Sequence, residues 1–202
     1  MLHDEKLSRR SVIASATFVP VTALTSAVLT DAALTAAAQA PKTAALSAQQ
    51  RQILDAFVDR LVPEDALGPG ALEMGAANYI DLALAEALAA EKDAITAGLT
   101  GVDTLARKEF DAPFTELPPE RKDQVLAALE NESRAFFNRI RRLTLEGMFC
   151  DPYYGGNKNY AGWDLIRYPG PRLAVGPEDQ KMSTPPKPLH QSAYGSNFNR
   201  GH

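Results

Sequence analysis

The chain has 202 residues, 45% hydrophobic and 23% charged, with a formal net charge of -4. This is the balance of one ordinary globular domain large enough to bury a core, and it excludes a nucleic-acid binder built on a basic surface. The single cysteine, Cys150, excludes an internal disulfide, and with no CxxC or CxxCH pattern a structural zinc, an iron-sulfur cluster and a covalently attached haem are excluded too.

At the N-terminus, Ser8-Arg9-Arg10-Ser11 places paired arginines before an uncharged, mildly apolar run from Ser11 to Thr30. Arg9 and Arg10 in that setting read as a twin-arginine export signal covering residues 1–38, with cleavage after Ala38 favoured because a cut after Ala40 would leave Pro41 at the new terminus. A transmembrane anchor is the alternative, since about 20 residues can span a bilayer; an uncleaved signal lies between the two. Residues 39–46 read as a linker.

The body then unfolds as helices. Ser47 with Gln50 three residues on is a capping box, and Ile53, Leu54, Phe57, Val58, Leu61 and Val62 recur at helical spacing until Pro63 ends the pattern. The glycine-rich, acidic stretch 64–75 reads as a loop. A second helix is expected from Ala76 to Ala90 with Ile80, Leu84 and Leu88 on one face, and a third from Ala94 to Phe110, weakened by Gly98 and Gly101. Pro118 and Pro119 suit the first turn of a fourth helix carrying Val125, Leu126 and Leu129. A fifth is expected over Glu132 to Phe149, with Phe136, Phe137, Ile140, Leu143, Thr144, Met148 and Phe149 inward and Arg134, Arg139, Arg141 and Arg142 mostly outward. No alternating β-branched run persists, so the class is all-α: a compact bundle of about five helices, a wrapping loop and an extended tail.

The loop, Cys150 to Gly170, holds Tyr153, Tyr154, Tyr160, Tyr168 and the lone Trp163 among glycines, prolines and asparagines. Asp151-Pro152 and Gly155-Gly156-Asn157 are turn chemistry, and large rings with polar handles suit either a wrapped core or a partner surface. Trp163 as a core residue and Trp163 as an interface residue both remain open, as do a buried free thiol at Cys150 and a bridge to another chain. The tail, residues 171–202, has too few large aliphatic residues for a core of its own and is long enough to lie along a partner or to remain solvated.

Catalytic patterns do not emerge. His3 falls in the export signal, while His190 and His202 lie in the tail without a neighbour at metal or triad spacing, and neither GxGxxG nor GxxxxGK[ST] occurs. Glu64, Asp65, Glu130 and Glu132 read as solvated helix-end and surface charges. An export route used for prefolded proteins, on a chain without a cofactor site, suggests travel with a cofactor-bearing partner. A stand-alone periplasmic binding or structural module without a redox partner is the alternative.

Certain segments resemble the gluconate 2-dehydrogenase subunit 3 family: Leu61-Val62-Pro63, Leu67 to Ala71, Ala77 to Asp81, and above all Glu146 to Lys158 with Gly162 to Ile166 and Tyr168-Pro169-Gly170. The resemblance covers most of residues 47–170. It implies a non-catalytic small subunit of a membrane-associated dehydrogenase oxidising a sugar, a gluconate-like sugar acid or a polyol. FAD would sit in a large glucose-methanol-choline-type partner and haem c in a multihaem cytochrome partner, with no cofactor in this chain. It further implies that the small subunit helps the flavoprotein mature and reach the periplasm by the twin-arginine route. Asp151, Tyr153, Tyr154, Asn157, Trp163 and Tyr168 would then face the partner or brace the loop that does.

Overall fold

Amphipathic segments with a 3.6-residue period must bury their apolar stripes against one another, and among the described residues six helices do so. The computed structural model describes residues 44–194, apart from 173, 178, 179, 182 and 184. The expected export signal, with Arg9 and Arg10, lies outside the described residues. The helices are α1 (Ala48–Leu61), α2 (Ala76–Ala85), α3 (Lys92–Phe110), α4 (Pro119–Glu132), α5 (Arg134–Phe149) and the short α6 (Ala161–Leu165). Among the described residues there is no strand, only an isolated bridge between Asp65 and Gly68, and no helix is long and apolar enough to cross a membrane.

α1 starts at the expected capping box: Gln50 N–H donates to the Ser47 hydroxyl at 3.3 Å and Ser47 N–H to the Gln50 side chain at 2.9 Å. Ile53, Leu54, Phe57 and Val58 are its buried face. Phe57 is the hub, with the Phe136 ring edge-on at 6.2 Å and Phe137 at 5.9 Å. Burying a ring of this size stabilises the fold by about 1.5–3 kcal/mol.

Several boundaries differ from expectation. α2 ends at Ala85 rather than Ala90, because the Leu88 N–H turns back onto the Ala83 carbonyl at 2.7 Å. A 3-10 turn, Ala89–Glu91, then leads into α3 and places Glu91 where Arg139 grips both its oxygens at 2.6 and 2.8 Å. That pairing lowers the Glu91 pKa and draws Arg139, expected outward, into a half-buried position. α3 runs two residues further at its start than expected. Gly98 costs it helix propensity but leaves the gap that the Phe136 ring fills. α4 and α5 are separated by Ser133 alone.

Two buried carboxylates tie the bundle ends. Asp81 Oδ1 accepts the N–H groups of Ala45 and Leu46 at 2.8 and 2.9 Å, which seats the end of the expected linker on α2 and buries Leu46. Asp103 accepts Phe114 N–H and Arg107 Nε, both at 2.9 Å. α5 lies closest to α2, where Gly147 meets Ala76 and the Tyr79 ring. This pair delivers the chain into the aromatic loop.

Candidate functional site

A helix leaves its last carbonyls without intrahelical donors, and α5 ends half-buried against the loop, where protein groups take the place of water. The loop does so instead. Cys150 N–H reaches the Glu146 carbonyl, Asn157 N–H donates to Gly147 at 2.8 Å, and the Trp163 indole N–H donates to Phe149 at 3.0 Å. The Asn157 amide group also donates to the Cys150 carbonyl at 2.8 Å, while its oxygen accepts Gly162 N–H at 2.8 Å. Asn157 does this in the left-handed region, at φ 45°, which asparagine tolerates better than most residues.

Glycines permit so close a wrap. A Cβ at Gly156 would collide with the Gly147 carbonyl, and one at Gly162 with the Met148 carbonyl. Further ties run to α2 and to the turn before it: Asn78 Nδ2 donates to the Gly155 carbonyl at 2.7 Å, and Lys158 N–H to the Met74 carbonyl at 2.9 Å. The loop is thereby a structured platform on the α2–α5 pair.

This arrangement separates the six loop residues singled out from the sequence. Asn157 is 0% exposed and Trp163 4% exposed, so they brace the loop and have almost no surface to offer a partner. Tyr154 and Tyr168 stand out at 42% and 40% exposure. Asp151 and Tyr153 are half-buried. Asp151 Oδ1 accepts Tyr153 N–H at 2.9 Å in an Asx turn, and Tyr153 packs edge-on against Tyr154 at 5.2 Å. Tyr168 sets its ring against Trp163 at 5.0 Å.

Tail residues join the same face, and sequence reasoning missed them. Tyr194 stacks on Tyr153 at 4.3 Å and shares a 2.7 Å hydrogen bond between hydroxyls with Tyr154; this bond is the largest influence raising the Tyr154 pKa. His190 stacks on Tyr160 at 4.9 Å, with Nε2 at 2.7 Å from Asp164 Oδ1. The tail therefore gives His190 a carboxylate partner that linear spacing hides. Neither member of that pair lines the grooves flanking Tyr154. One groove, about 410 Å³, runs past Tyr154, Trp163, Ile166, Tyr168 and Tyr194. The other, about 370 Å³, lies between Tyr79, Glu146, Phe149, Cys150 and Tyr154.

Cys150 borders the second groove. Burial pushes its thiol up to about 12, which leaves it protonated and unreactive at neutral pH. Among the described residues no group of three or more His, Cys, Asp or Glu side chains is placed to hold a metal ion. Glu64, Asp65, Glu130 and Glu132 are exposed.

A family model described as gluconate 2-dehydrogenase subunit 3 matches residues 48–170, from the first residue of α1 to the last residue of the loop. The chain belongs to this family. No curated protein and no solved structure matches it. As a subunit 3 protein it is one component of a multisubunit dehydrogenase, and so has partner subunits. The family match takes in every helix among the described residues and the loop that closes α5, whereas His190, Ala193 and Tyr194 lie beyond it.

Proposed function

We propose that this chain is the non-catalytic small subunit of a periplasmic, membrane-associated, FAD-dependent dehydrogenase that oxidises a sugar, a gluconate-like sugar acid or a polyol. The single observation that carries this reading is the family match, which spans the helical body and the aromatic loop. In this reading FAD belongs to a large glucose-methanol-choline-type subunit and haem c to a cytochrome subunit. The small subunit contributes a docking surface made of Tyr153, Tyr154 and Tyr168, with Asp151, Asn157 and Trp163 holding it in shape. Tyrosine is suited to such a surface because it offers large contact area at low entropy cost.

The chain also assists maturation and twin-arginine export of the flavoprotein, with Arg9 and Arg10 as the export determinant. That role accounts for a small helical body whose most elaborate feature is a platform of rings rather than a reaction centre.

The test is purification of the tagged chain from gently solubilised membranes, with identification of co-purifying proteins and an absorption spectrum. A large flavoprotein with flavin bands is the expected companion, with haem c bands if the cytochrome is retained. A colourless solitary chain overturns the proposal. Removing residues 1–38 tests export separately: the flavoprotein should then stay in the cytoplasm, and its continued appearance in the periplasm refutes the escort role.

A further inference from the structure

The stretch 187–194 has no regular secondary structure, yet it is fastened along the loop at successive points. Arg172 Nη2 donates to the Lys187 carbonyl at 2.7 Å, and Leu189 N–H donates to Pro169 at 2.9 Å. His190 then takes Asp164 and the face of Tyr160, and Gln191 Nε2 reaches the Pro171 carbonyl at 3.4 Å. Ala193 N–H donates to Asp151 Oδ2 at 2.8 Å, and Tyr194 closes the sequence on Tyr153 and Tyr154. Gly170 lets the two segments meet, since a Cβ there would collide with the Leu189 carbonyl.

Asp151 is the joint of this arrangement. One carboxylate oxygen sets the turn that carries Tyr153 and the other holds the backbone of Ala193, so both are occupied in bracing. Tyr160 makes the same point from the other end. It sits at φ 62°, a costly conformation for a bulky residue, and persists only where surroundings over-determine it. Its ring is held between Trp163 at 5.3 Å and His190 at 4.9 Å. The larger groove also needs this segment, because Ala193 and Tyr194 form part of its wall.

We propose that residues 187–194 are a strap that positions the tyrosine face for the partner subunit, with Asp151 as its peg, His190 as its second clamp and Tyr194 as the third ring of the tyrosine cluster. The proposal rests on reading this face as the docking surface. It assigns interface-positioning roles to residues beyond Gly170, where the family match ends. The strap is part of the docking surface and stays in place when the partner binds.

Five forms of the protein decide it: the unaltered chain, a chain ending at Pro186, a chain ending at Tyr194, Tyr194→Ala, and Tyr194→Phe as the conservative variant. Hydrogen exchange across residues 151–168 is read on each, alongside helical circular dichroism and the amount of flavin-bearing large subunit that co-purifies. Ending at Pro186 should speed exchange of the loop by about tenfold while leaving the helical signal intact. It should also lower capture of the flavoprotein by about tenfold. Ending at Tyr194 should change neither, and Tyr194→Phe should retain most of what Tyr194→Ala loses. Unchanged loop exchange in both the chain ending at Pro186 and Tyr194→Ala overturns the proposal, as does tighter capture by the shortened chain, the mark of a strap that must leave. If the shortened chain fails to fold, loop exchange in Tyr194→Ala decides alone. If no form captures a flavoprotein, the docking reading itself fails, and loop exchange still decides whether the strap positions the tyrosines.

Discussion

The indole N–H of Trp163 donates to the Phe149 carbonyl across 3.0 Å, so the chain's lone tryptophan serves as a cap for the helix that precedes it. Asn157, fully buried, completes that cap by donating to the Gly147 and Cys150 carbonyls, and its side-chain oxygen accepts Gly162 N–H. Truncating it to Ala leaves the Cys150 carbonyl and Gly162 N–H without their partner, at about 1–3 kcal/mol for each buried group stranded. Asn157→Ala should therefore lower Tm by roughly 5–15 °C in a thermal melt. Trp163→Phe removes a single bond and should cost about 1–2 kcal/mol. A change of less than about 2 °C for Asn157→Ala would show that water satisfies these groups equally well.

Gly156 and Gly162 have backbone carbonyls where a side chain would begin. Gly162→Ala should displace the loop, because the obstructing atom belongs to the α5 backbone and has no rotamer to adopt. The expected result is loss of the near-ultraviolet circular dichroism of Trp163 and its tyrosine neighbours, with helical signal retained. Gly101→Ala makes a matched control: a Cβ there meets nothing within 4 Å, and the substitution in mid-helix should stabilise by about 0.5–1 kcal/mol.

Cys150 and Tyr79 give the alkaline side of the stability profile. Burial is the leading cause that raises the thiol from its ordinary 9.0, and the Tyr79 phenol from 10.0, each to about 12. In the unfolded chain both groups lose their protons at lower pH than in the folded one, so the unfolded state binds fewer protons above about pH 9. Their contribution is complete below about pH 9 and falls as pH rises toward 12. Denaturant titrations from about pH 8 to 11 should show this decline, and the double variant Cys150→Ser with Tyr79→Phe should flatten it. Folded Cys150 should also react with iodoacetamide at about pH 8 far more slowly than the unfolded thiol, because burial lowers its thiolate fraction. Equal rates would refute burial as the protecting factor.

Phe57 joins α1 to the start of α5 through Phe136 and Phe137. Phe57→Ala should destabilise by about 3–5 kcal/mol, read as a lower midpoint in urea. Since Phe57 lies far along the chain from the loop, its loss should reduce global stability before it alters the tyrosine face. A variant that loses the ring signals at urea concentrations where the helices persist would contradict that order.

Local chemistry made much of this protein legible in its sequence. Helical periodicity placed α1, α3, α4 and α5 within a few residues. Ser47 with Gln50 marked a start, Pro119 another, and the motif from Cys150 to Gly170 carried the family. Each depends on residues within a turn or two of one another, and that is the range over which periodicity and capping act. Tertiary structure alone decided the rest. It ended α2 early, gave Asp81 and Asp103 distant N–H partners, and turned Asn157 and Trp163 inward as caps. It also brought His190 to Asp164 and Tyr194 to Tyr153, across 26 and 41 residues. Such pairings depend on where a folded body leaves unmet carbonyls and open ring faces. Those positions exist only once the helices have packed, so no local pattern in the chain encodes them.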